Sequence, residues 1–120
     1  MTETPSLRGD GVRVADMLEA AALLDGIREK GREAFLSEPY LQAAAVRFLE
    51  VIGEAAGHLS ESFRTNNPEI PVRKMRGFAS LAKHEYWRVE VTGVWNAVEA
   101  MPSIRRALET ARTAGKRHPQ

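Results

Sequence analysis

Apolar residues recur at three- and four-residue spacing along almost the whole chain, the period of amphipathic helices rather than of strands. Val14, Met17, Leu18, Ala21, Leu24 and Ile27 form a first stripe, which the pattern ends near Gly31. Ser37-Glu38-Pro39 reads as a helix start, with a capping hydroxyl followed by an acid and a proline in the first turn. Leu41, Ala45, Phe48, Leu49, Ile52, Ala56, Leu59 and Phe63 then make one long stripe, the pattern expected of the central core helix. Gly53, Ala55, Ala56 and Gly57 interrupt its bulk with small residues, which let a neighbouring helix approach closely, although each glycine costs up to about 1 kcal/mol relative to alanine.

Asn66-Asn67-Pro68 is a turn signal and Pro71 a second punctuation mark. A third helix is predicted from about Pro71 towards Tyr86, with Met75, Phe78 and Ala82 inward. Val91, Val94, Trp95, Val98 and Met101 predict a short fourth helix that Pro102 interrupts, and Ile104, Leu108 and Ala111 a last helix fading at Gly115. No segment alternates over strand length and no glycine-rich loop precedes a helix. The expected fold is all-α, an antiparallel bundle of four main helices plus a short fifth. Residues 1–115 would form one domain and 116–120 a disordered tail.

Composition narrows the chemistry. The chain of 120 residues has an ordinary globular balance, 43% hydrophobic and 28% charged. It has no cysteine, which excludes a disulfide scaffold, thiolate metal sites and a cysteine nucleophile. No apolar run approaches the roughly 20 residues that span a bilayer, and the polar opening from Met1 to Asp10 does not resemble a signal peptide. A cytoplasmic location is expected. The net charge of +1 conceals an asymmetry: residues 1–60 carry 6 basic and 10 acidic side chains, and residues 61–120 carry 11 basic and 6 acidic. Such a half is either a solvated helix surface or a face for an anion such as an RNA backbone.

The three histidines differ in their company. His118 lies in the tail, and His58 is expected to be a half-exposed structural residue on the central helix, without a partner at metal-ligand spacing. No metal or other cofactor is expected. His84 sits in Lys83-His84-Glu85-Tyr86-Trp87-Arg88, where a titratable imidazole, cations, an acid and aromatics fall within six residues. That run suits a helix C-terminus, and it also suits phosphodiester chemistry, in which an imidazole shuttles a proton while a cation holds the phosphate.

Phe48-Leu49-Glu50-Val51-Ile52-Gly53-Glu54-Ala55-Ala56, followed by Asn67-Pro68-Glu69-Ile70-Pro71, resembles the HepT-like branch of the HEPN superfamily. The family's pattern continues with Trp-Arg, Gly-Met, Arg-Asn, His-x-Tyr and a Val-Trp helix. Pro71, Arg73, Gly77, His84, Glu85, Tyr86 and Val94-Trp95 match it in register, as do Leu18-Glu19-Ala20 and Phe35-Leu36-Ser37. The resemblance implies a dimeric helical bundle, often the toxin of a two-gene toxin–antitoxin module whose partner is a minimal nucleotidyltransferase. It also implies metal-independent RNA cleavage by an Arg, four residues, then His-x-Tyr, with the tyrosine as the residue on which the partner places AMP. By position, His84 is then the catalytic histidine and Tyr86 the candidate for AMPylation.

The sequence departs from that pattern at the arginine. Five residues before His84 stands Ala79, and the following family asparagine is Ser80. Neither can replace a guanidinium that grips phosphate through paired hydrogen bonds. Arg76 is the candidate substitute, roughly 80° round an ideal helix from His84 and about 12 Å along it. Arg73 is roughly 20° off the same face and about 16 Å away. Two readings follow: a HepT-like endoribonuclease weakened at its cation, with His84 and Arg76 catalytic, or an inactive HEPN scaffold that binds a nucleotidyltransferase or RNA. A homodimer is expected in both.

Overall fold

The computed structural model describes residues 3–83 and 91–117, with side-chain surroundings for residues 9–81 and 91–114. His84, Glu85 and Tyr86 lie outside the described residues, as does His118. Among those described, the fold is all-α without strands, in the order α1 Glu3–Glu29, α2 Arg32–Ser37, α3 Pro39–Gly57, α4 Glu61–Asn66, α5 Val72–Lys83, α6 Val91–Glu99 and α7 Met101–Arg117.

Among the described residues, seven helices therefore stand where the apolar pattern predicts five. The long central stripe is cut by a break at His58–Ser60, so Leu59 and Phe63 belong to a turn and to α4 rather than to α3. Ser60 causes the cut by capping α4: its Oγ accepts from Phe63 N at 3.1 Å. Ser37 is likewise not a cap. It ends α2, where its hydroxyl donates to Ala34 O, and α3 begins with Pro39 at its first position after an extended Glu38. Proline disfavours helical geometry in the residue before it, which separates α2 from α3. Gly31, at φ +99°, makes the preceding corner between α1 and α2. The break at Pro102 falls at Ala100, with the proline in the first turn of α7, where it needs no hydrogen-bond partner. That last helix runs on to Arg117, past the predicted fade at Gly115.

α3 is the hub and packs most extensively against α5 and α1. Both neighbours run antiparallel to it. Asp10 in the first part of α1 meets Ser60 beyond the end of α3, whereas Leu23 shares a groove with Arg47 near the beginning of α3. On the other side, Gly53 faces Ala79 while Gly57 faces Arg76. The core contains Met17 and Leu24 from α1, Leu49 and Ile52 from α3, Met75 from α5, Val98 from α6, and Met101 and Leu108 from α7. Phe35 brings α2 into this core and packs on Trp95 with ring centroids 5.2 Å apart.

Two polar clasps fix the helices laterally. Arg105 of α7 and Arg28 of α1 both donate to the Asp25 carboxylate, at 2.6 and 2.7 Å. Burial alone would raise the Asp25 pKa, but the hydrogen bonds and charges of the two guanidiniums outweigh it and hold the carboxyl below its usual value. The second clasp involves Asp10, only 4% exposed, whose two oxygens accept from Ser60 N at 2.9 Å and from Ser60 Oγ at 2.6 Å. No helix among the described residues is long and apolar enough to cross a membrane.

Candidate functional site

Ala79 and Ser80, the two departures from the resembled pattern, lie on α5 at the wall of an open cleft of about 600 Å³. Arg64 from α4 and Val72, Arg73, Arg76 and Gly77 from α5 complete its lining. Among the described residues, three guanidiniums and no carboxylate thus border one concavity, which concentrates positive potential where an anion could enter. None of the three arginines is within ion-pair distance of a carboxylate among the described residues.

Gly53 fixes where α5 lies. A Cβ built on Gly53 would stand 2.6 Å from Ala79 N, 2.8 Å from Ala79 Cβ and 3.0 Å from Met75 O. The two backbones therefore touch at this level, which only glycine permits. Beside this contact Ala79 is half-buried, and it borders the cleft. One turn further along α3 the seam opens. A Cβ on Gly57 would be 3.6 Å from Arg76 Nε, an ordinary contact, so the Arg76 side chain lies across the end of α3.

Arg64 approaches the same end of α3 from the other side. Its Nε donates to Leu59 O at 3.1 Å and its Nη2 to Gly57 O at 3.3 Å. Those carbonyls belong to the last turn of α3 and the residues after it, where no further helical N–H follows and the helix dipole favours a cation. The arginine is thereby held in place by backbone rather than by an acidic side chain. The helix carrying it is short and depends on tertiary support: Ser60 caps its start, Asp10 anchors Ser60, and the buried Asn67 donates to Phe63 O at 2.9 Å at its other end.

Of the residues singled out from the sequence, the structure brings Arg73, Arg76, Ala79 and Ser80 to one cleft. His84 and Tyr86 lie outside the described residues; α5 ends at Lys83, which directly precedes His84 in the sequence. His58 is exposed at the C-cap of α3, rather than half-exposed on the helix, and does not line the cleft. Arg64 is the cleft residue that sequence reasoning missed. The available signal was Ser60-Glu61, a capping hydroxyl followed by an acid, which starts a new helix and turns Arg64 towards α5. Among the described residues no cluster of three or more His, Asp or Glu could hold a metal ion.

A second concavity, of about 320 Å³, lies between α1 and α3 and is lined by Asp16, Glu19, Ala20, Leu23, Arg47, Phe48 and Val51. Its lining mixes both charge signs around apolar side chains, so it lacks the single-signed field of the arginine cleft.

Known proteins resemble this chain over most of its length. The model of the family described as "Ribonuclease HepT-like" matches residues 17–111. A protein named "Probable ribonuclease HepT" from Thermococcus cleftensis is 36% identical over 99 residues, spanning 81% of this chain and 90% of that protein. "Putative RNase MJ1380" from Methanocaldococcus jannaschii is 28% identical over 96 residues, 78% of this chain and 88% of the relative. "Putative RNase TTE0752" from Caldanaerobacter subterraneus is 28% identical over 92 residues, 76% and 82% of the two chains. No solved structure matches significantly. The matched segment runs from within α1 into α7 and contains the whole arginine cleft, and the chain belongs to the HepT-like ribonuclease family.

Proposed function

We propose that this chain is a HepT-like endoribonuclease that cleaves RNA without a metal ion, as the toxin of a toxin–antitoxin pair, with a weakened cation at its centre. The observation that carries the proposal is that Ala79 and Ser80, at the family's Arg-Asn positions, line one cleft with Arg64, Arg73 and Arg76. His84, five residues after Ala79, takes the proton from a ribose 2′-hydroxyl. The 2′-oxygen attacks the adjacent phosphorus, the P–O5′ bond breaks, and the departing 5′-oxygen takes up a proton. A 2′,3′-cyclic phosphate and a 5′-hydroxyl result. Arg76 supplies the charge that the family's arginine would place on the phosphate oxygens. The site is completed in a homodimer, a minimal nucleotidyltransferase is the antitoxin, and AMP on Tyr86 silences the toxin.

A second reading, an inactive scaffold that binds RNA or the nucleotidyltransferase, has its own support. Ala79 carries no charge, and the Arg76 Nε rests beside Gly57 at the end of α3. A guanidinium there suits gripping a strand.

Metal-free cleavage of RNA in the presence of a chelator separates the two. The first reading expects slow cleavage by the unaltered chain, none by His84→Ala, and a gain on the order of a hundred- to thousand-fold in Ala79→Arg. Absence of cleavage until Arg stands at position 79 establishes the scaffold reading. Equal cleavage with and without His84 removes that histidine from the mechanism. AMPylation is tested by mass: incubation with a partner enzyme and ATP adds one AMP to the native chain and none to Tyr86→Phe.

A further inference from the structure

We infer that Arg64 is a positioning residue, fixed at the end of α3 to hold a backbone phosphate of the RNA strand in the cleft it shares with Arg73 and Arg76. The inference rests on the RNA-directed reading above and concerns how the strand is held, whether or not it is cut.

The argument begins with what Arg64 does not do. It forms no ion pair with a carboxylate among the described residues, so its charge is not neutralised by an acidic neighbour there. Its two hydrogen bonds to Leu59 O and Gly57 O fix the guanidinium plane. A guanidinium has five N–H groups, and three of the five remain for a ligand. Backbone carbonyls thus hold the fork without discharging it. The side chain is half-buried and lines the cleft, so part of the entropy of ordering an arginine is already spent before a phosphate arrives.

Arg73 and Arg76 differ in this respect. Both are exposed and neither has a hydrogen-bonded side chain among the described residues. They add charge to the cleft, whereas Arg64 adds charge in a fixed place. Its place is set through a relay of short contacts: buried Asp10 to Ser60, Ser60 to the first turn of α4, and α4 to Arg64. A phosphate fits the site because its oxygens accept paired N–H bonds from a planar fork. An RNA strand fits the cleft because three cations along it can meet successive phosphates, a mode that reads no base.

The test measures equilibrium binding of a labelled 2′-O-methyl oligoribonucleotide, which cannot undergo 2′-hydroxyl attack, over a range of salt concentrations. Arg64→Gln is expected to weaken binding about tenfold or more and to make the slope of log K against log salt shallower by about 0.7, one phosphate contact on a single strand. Arg64→Lys should recover the salt slope and only part of the affinity, because an ammonium keeps the charge and loses the fork. Arg73→Gln should weaken binding less than Arg64→Gln.

Because Arg64→Gln also uncaps α3, the unaltered chain is titrated in parallel and the Arg64 Nε–H resonance followed by NMR. A shift at Arg64 that saturates with the oligonucleotide supports the inference. Binding without any shift at Arg64, or a folded Arg64→Gln that binds as the unaltered chain does, overturns it. Failure of the unaltered chain to bind the oligonucleotide also overturns it, whereas failure to cleave ordinary RNA while binding persists overturns only the catalytic reading.

Discussion

The seam between α3 and α5 has two glycines one helical turn apart, and they do opposite things. At Gly53 the helices are in backbone contact, with no room for one further carbon against Ala79 and Met75. At Gly57 a carbon would fit, and the space above it is occupied by the Arg76 side chain, with Arg64 bonded to the Gly57 carbonyl. The first glycine closes the seam and the second opens it into the cleft. A run of small residues on a helix is therefore not one signal. Close approach at one turn, on antiparallel helices that diverge, creates a concavity at the next.

Substitution at Gly53 should produce the largest effect. Gly53→Ala would gain up to about 1 kcal/mol of helix propensity, but the atoms in its way are a backbone nitrogen and a backbone oxygen, which no rotamer change can move. Overpacking of this kind costs on the order of 1–3 kcal/mol, and a net loss should lower the melting temperature by roughly 5 °C per kcal/mol. A melting temperature equal to or above that of the unaltered chain would break the comparison. Gly57→Leu sharpens it from the other end. The added side chain displaces Arg76 rather than backbone, so RNA binding should fall several-fold in a filter-binding assay with little change in melting temperature.

Two smaller effects serve as contrasts from outside the seam. Asp25 has a lowered pKa through Arg28 and Arg105. A carboxyl with a depressed folded-state pKa contributes stability above its ordinary value of 3.8 and loses it as pH falls through the folded-state value. Thermal melts should therefore show the unaltered chain more stable than Asp25→Asn near neutrality, by a few degrees, with the gap narrowing as pH falls below 3.8. RNA binding should be unaffected. Leu23→Gln, in the mixed-charge groove on the other side of α3 and 49% exposed, should change neither stability by more than about 0.5 kcal/mol nor RNA binding by more than twofold. A large loss of binding there would mean that the cleft is not the principal contact.

The helical class was legible because apolar periodicity survives every local irregularity, and Met75, Phe78, Val94, Trp95 and Leu108 are buried as their spacing requires. The break before α4 was not, because Leu59 and Phe63 keep the helical phase of Ile52 and Ala56 across a turn. Periodicity reports which side faces inward and is silent about whether the backbone stays helical between two inward residues. Ser60 decides that, and a lone serine within an apolar stripe is a weak sign until its Asp10 partner, fifty residues earlier, is known. The same distance hid Arg64. Arg73, Arg76, Ala79 and Ser80 could be read as one group because they share a helix, whereas Arg64 joins them only through the packing of α4.

The Asp10–Ser60 clasp gives the cleft a clock of its own. Because α4 is too short to persist unaided, its opening is a local event in which this clasp, the Asn67 bond to Phe63 O and the Arg64 bonds to the end of α3 part, while α1, α3 and α5 stay packed. The Phe63 amide, bonded to Ser60 Oγ, should exchange with solvent deuterium faster than the amides of central α3. A strand seated on Arg64 should slow that exchange. Protection at a single amide would then register occupancy of the cleft, and Asp10→Asn should shorten the exchange lifetime of that amide while leaving central α3 protected.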